Sequence, residues 1–126
     1  MTIPVKSLPS GFSLPVYGLG TWQMGGRMAA DDSNDRTDSA AIKSALEHGI
    51  SHLDTAELYG AAGHCEEVVG QAIKGFDRSR LQIVSKVTAA NQSYAGVIKA
   101  CQASLRRLNL TSLTPKLSAQ TLSHQA

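Results

Sequence analysis

Three short apolar runs end at one fixed interval, and that interval restricts the fold more than any other feature of the chain. Trp22, Asp54 and Lys86 stand 32 residues apart. They lie at or near the ends of runs over 16–22, 50–55 and 81–87, each with strand character. Between the runs the hydrophobic period becomes helical. Ala41, Ile42, Ala45 and Leu46 form one stripe ahead of Gly49, and Val68, Val69, Ala72 and Ile73 repeat it ahead of Gly75. Glu66 and Glu67 fall in the first turn of that second helix, where the helix dipole favours anions. Ile98, Cys101, Leu105 and Leu108 supply a third stripe, with Asn91 or Ser93 placed to cap it. The spacing predicts helices over 37–48 and 93–108. Strand and helix alternating at this interval imply βα units with right-handed crossovers and a parallel sheet.

The flanks differ. Residues 1–17 carry Pro4, Pro9, Gly11 and Pro15 between short apolar stretches, which is hairpin chemistry, and 25–38 is a polar loop. After Leu110 neither period persists, and Pro115 stands where a fourth strand should run, a place a central parallel strand cannot give it. We therefore expect one structured unit over 1–110 and a divergent, unstructured tail over 111–126. A chain of 126 residues with 42% hydrophobic content is globular and holds one domain at most. Its net charge of +2 comes from scattered residues, so neither nucleic acid nor a membrane surface is an expected partner. Cys65 and Cys101 lack metal-site spacing and read as reduced thiols. With no leader-like N-terminus and no long apolar span, the expected location is cytoplasmic.

Parallel βα units gather their strand C-termini on one face, where such folds place their chemistry. Asp54 ends the second strand, Tyr59 follows in its loop and Lys86 ends the third strand, so the three should converge. A phenol with an ordinary pKa of about 10 is a poor proton donor near neutrality unless its anion is stabilised. A lysine ammonium does that, and a carboxylate keeps the lysine charged and aimed. Taken singly, an Asp or Lys at a strand end is more often a cap or a solvated loop residue than a catalytic group. Gly18 and Gly20 lack the third glycine and the following helix of a dinucleotide loop. A flavodoxin-like sheet would need a phosphate loop after the first strand, of which 23–28 gives only a hint. His48 and His52 read as structural, and His64 as a candidate for substrate or loop contact.

Several motifs resemble the aldo-keto reductases: Gly18-Leu19-Gly20-Thr21-Trp22, Leu53-Asp54-Thr55-Ala56-Glu57-Leu58-Tyr59-Gly60 continuing to Gly63, Glu66-Glu67 and Gly70, Ile83-Val84-Ser85-Lys86-Val87, and Ser104-Leu105-Arg106-Arg107-Leu108. The resemblance covers about 5–110. It implies a partial (β/α)8 TIM barrel, an N-terminal hairpin plus about three βα units, from a family that reduces aldehydes and ketones with NADPH. By resemblance Tyr59 would be the general acid, Lys86 would depress its pKa, and Asp54 would pair with Lys86. Gly20, Thr21, Trp22 and Asp54 would lie by the cofactor, and a small carbonyl compound would be the substrate.

The chain departs from the family pattern in two places. One more interval beyond Lys86 reaches Leu117-Ser118-Ala119 instead of the family's histidine, and His124 is off the spacing. The loop Gly60-Ala61-Ala62-Gly63 is one residue longer than the family's, which would either shift Tyr59 or bulge outward. A complete barrel takes about 250 residues. The expectation is thus the N-terminal part of such a reductase, ended by truncation or a frame change near Leu110 and inactive alone. The alternative is a non-catalytic partial barrel acting by association, with itself or other chains, through its open edges.

Overall fold

The computed structural model describes residues 2–113. The expected tail beyond them, with Pro115, His124 and the position of a fourth strand end, lies outside the described residues.

The chain opens with an antiparallel hairpin of β1 (Val5–Ser7) and β2 (Ser13–Pro15), paired Val5 to Pro15 and Ser7 to Ser13. Then come β3 (Leu19–Gly20), α1 (Asp35–Glu47), β4 (His52–Asp54), α2 (Gly60–Ala72), β5 (Gln82–Val84) and α3 (Tyr94–Leu108). The last three strands form a parallel sheet in the order β3-β4-β5, with Gly20 opposite Asp54 and Asp54 opposite Val84. The hairpin sits at the N-terminal end of the strands, where the Gln82 amide donates to the Ser13 carbonyl at 2.7 Å. The regular strands are shorter than the sequence pattern, but pairing runs on past their ends. Thr21 N donates to Asp54 O, Thr55 N to Val84 O, and Glu57 N to Lys86 O. That continuation carries the register into the loops and fixes where the functional side chains begin.

Two sequence expectations change here. The run 16–22 forms only the two-residue strand Leu19–Gly20, and Val16, Tyr17 and Trp22 on either side of it are exposed. Gly18 does meet a close neighbour, since a side chain there would start 2.6 Å from the His52 ring. On α3 the buried positions are Ala100, Ser104 and Leu108, while Ile98 is 45% exposed and Cys101 and Leu105 are half-buried. A Cβ at Gly70 would lie 2.8 Å from the carbonyls of Arg107 and Leu108, so this glycine lets α2 and α3 touch there, and of the expected stripe Leu108 alone is fully buried. Ile42 and Leu46 from α1, Val68, Val69 and Ala72 from α2, and Leu53 and Ile83 from the strands make one core. Ser93 caps α3 by accepting from Gly96 N at 3.0 Å. Cys65 and Cys101 are both free thiols. No helix among the described residues is long and apolar enough to cross a membrane.

Candidate active site

The C-terminal end of the sheet brings Asp54, Tyr59 and Lys86 together. Lys86 is only 7% exposed, and a charge so buried needs partners. Its three ammonium hydrogens have three acceptors: Asp54 Oδ2 at 2.6 Å, the Thr55 carbonyl at 3.0 Å and the Tyr59 hydroxyl at 3.3 Å. Asp54 stays partly open to solvent, with 37% of its side chain exposed. Tyr59 is buried, and its ring meets that of Trp22 edge-on, 4.8 Å between centroids at 71°. Trp22 is exposed, and at Gly20 a side chain would meet nothing within 4 Å. Thr21, by contrast, is fully buried and tied to the strand end, its hydroxyl donating to Asp54 O at 3.0 Å. The Cys65 thiol lies 3.1 Å from that hydroxyl, and burial pushes its pKa up against the opposing hydrogen bonds of Thr21 and Thr55.

The loop after Tyr59 bulges outward. Gly60, Ala61, Ala62 and Gly63 all have positive φ, and Ala61 and Ala62 are exposed. For the two alanines the left-handed conformation costs about 1–2 kcal/mol each. Gly63 has no such freedom to change, because a Cβ there would stand 2.1 Å from Arg107 Nε. Regular helix resumes at His64, which does place Glu66 and Glu67 in a first turn.

Glu66 does more than face a helix dipole. It is fully buried, accepts from the Ser85 hydroxyl and pairs with Arg107 Nε at 2.7 Å, tying together α2, α3 and the residue before Lys86. Glu57, also buried, accepts from Thr88 N at 2.6 Å and Asn91 Nδ2 at 3.0 Å. Neither role was visible from residue type; the one signal was that both acids stand inside the family-like motif.

His64 does not join the cluster around Lys86. Its Nδ1 lies 2.9 Å from Glu67 Oε2 and its Nε2 3.0 Å from Asp35 Oδ1, so it bridges α2 to the start of α1. Bonding to Glu67 raises its pKa, burial opposes that, and Asp35 adds to the rise. A His raised in the folded state stabilises below its unfolded value of about 6.5 and loses that contribution as pH climbs through the raised value. The melting-temperature gap between the native chain and His64→Gln should therefore be widest near pH 5.5 and shrink towards pH 8; a gap that widens with pH would contradict the bridge. His48 bonds the Ser44 carbonyl at 2.7 Å and His52 the Gln82 amide at 3.4 Å, both structural as read.

Residues 17–114 match the family model of the aldo/keto reductase family. The chain belongs to that family. This aldo/keto reductase chain is 46% identical over 97 residues to the methylglyoxal reductase YeaE of Escherichia coli K12, a match covering 77% of the chain and 32% of that relative. It superimposes on an aldo-keto reductase from Klebsiella pneumoniae in complex with NADPH with a TM-score of 0.76 at 38% identity, over 90% of the chain and 38% of that structure. The thermostable aldo-keto reductase Tm1743, in complex with the inhibitor epalrestat, gives a TM-score of 0.84 at 38% identity, over 88% and 40%. The chain spans about a third of the length of the curated relatives it matches. Its hairpin and three βα units are thus a partial (β/α)8 TIM barrel.

Proposed function

We propose that this chain carries the proton-transfer side of an NADPH-dependent carbonyl reductase, which turns an aldehyde or ketone into an alcohol. The observation that carries the proposal is the direction of one hydrogen bond. Lys86 donates to the Tyr59 oxygen, so the phenol's own proton is left for an acceptor outside the cluster. As a carbonyl oxygen gains negative charge, Tyr59 protonates it. The ammonium 3.3 Å away stabilises the phenolate that remains, and Asp54 holds that ammonium in place. NADPH, when bound, supplies the hydride. The residues here suit its reactive end: Gly20, opposite Asp54 in the sheet, leaves open space, and Trp22 presents an exposed aromatic side chain beside Tyr59. Thr21 would act indirectly, by holding the Asp54 carbonyl. Residues 1–110 form the barrel part of this proposal and 111–126 a divergent extension; reduced Cys65 and Cys101 go with a cytoplasmic setting.

The test is a graft in which residues 17–110 replace the matching third of the Escherichia coli relative. NADPH consumption with methylglyoxal is the readout. Turnover is expected, and a graft that folds and binds NADPH without turning over would count against the assignment.

A further inference from the structure

We infer that Glu57 is a positioning residue that sets the separation of Tyr59 and Lys86, an inference resting on the roles proposed for those two side chains. Tyr59 belongs to the loop after β4 and Lys86 to the end of β5, so their 3.3 Å contact depends on two segments that the regular strand pairing no longer controls. Glu57 lies two residues before Tyr59 and is fastened to the other segment at three points. Its own N–H donates to the Lys86 carbonyl at 3.2 Å. Its Oε1 accepts from Thr88 N at 2.6 Å, two residues past Lys86, and from Asn91 Nδ2 at 3.0 Å. Glu57 is 7% exposed as a residue, and both donors meet the same carboxylate oxygen, so these are charge-assisted bonds.

The need for such a fastening is visible on the other side of Tyr59. Gly60 to Gly63 run through four successive left-handed conformations, two of them at alanines. A strained segment relaxes by moving whatever is least held, and the adjoining residue is Tyr59. Glu57 holds the chain on the near side of that strain. The ladder bond from its N–H would survive a change of side chain; the two bonds to Oε1 would not. Glutamine retains an oxygen in the same place, whereas alanine has none.

The experiment is NMR on the full chain, reading the nuclear Overhauser cross-peak between the Tyr59 ring and the Lys86 side chain, whose Nζ lies 5.1 Å from the ring centroid. Glu57→Ala should weaken that cross-peak and speed Thr88 amide exchange about fivefold or more, with unchanged helix content by far-ultraviolet circular dichroism. Glu57→Gln should restore both. An unchanged cross-peak in Glu57→Ala, or a Gln variant that behaves like Ala, would overturn the inference. If Glu57→Ala does not fold, Asn91→Ala, at an exposed position, removes one of the two bonds. A weakened cross-peak there supports the inference and an unchanged one refutes it. In the graft, Glu57→Ala should lower kcat on the order of 10- to 100-fold with little change in KM. The cross-peak reads geometry alone, so failure of the catalytic reading would show separately, as turnover that survives Tyr59→Phe.

Discussion

Tyr59→Phe in the graft is expected to lower kcat on the order of 10²- to 10⁴-fold while leaving KM and NADPH binding nearly unchanged. The change deletes one oxygen. The ring keeps its edge contact with Trp22 at 4.8 Å, and Lys86 keeps Asp54 and the Thr55 carbonyl, so the packing of the site survives. What disappears is the group that donates a proton as charge develops on the substrate oxygen. The loss corresponds to about 3–5 kcal/mol of transition-state stabilisation. A reduced kcat accompanied by a proportionally raised KM would instead indicate that Tyr59 only binds. Steady-state NADPH consumption across a range of methylglyoxal concentrations separates the two.

Arg107→Met should be the most damaging change away from the reacting groups. Glu66 is fully buried, and Arg107 is its cation at 2.7 Å. Methionine fills much of the same space but leaves a carboxylate in the interior without a countercharge, which costs about 3–5 kcal/mol. Against a total stability of roughly 5–15 kcal/mol for a small domain, that leaves the chain close to unfolding. Urea denaturation should show the midpoint falling at constant slope. Adding Glu66→Met to Arg107→Met should recover part of the loss, because it removes the orphaned charge. A double variant less stable than Arg107→Met alone would show that the carboxylate is held mainly by the Ser85 hydroxyl.

The order of strands and helices and the meeting of Asp54, Tyr59 and Lys86 could be read in advance because both depend on local pattern. A change of period marks each element, and a residue at a strand end must emerge on the face that parallel strands share. What escaped that reading depends on approach distances between elements distant in sequence. Of the α3 stripe Ile98, Cys101, Leu105 and Leu108, which has ordinary helical spacing, only Leu108 is fully buried, and Ala100 and Ser104 face inward with it. Glu66 looked like a helix-start acid because its partner lies 41 residues ahead. Glu57 drew no reading of its own because its acceptor role depends on where the backbone after Lys86 turns back. Ala61 and Ala62 carry no mark of left-handed geometry in their identity; only the extra loop length hinted at it.

The claim on which the functional reading depends is that Tyr59 and Lys86 act as one proton-transfer unit, since the Lys86 charge matters to the reaction through the Tyr59 oxygen. A double-mutant cycle in the graft measures this directly, with kcat determined for Tyr59→Phe, Lys86→Met and the two combined. If the account is right, the combined variant is about as slow as Tyr59→Phe alone, because an ammonium has no phenolate to stabilise once the hydroxyl is gone. Losses that multiply, giving a double variant slower by the product of the two single effects, would contradict it.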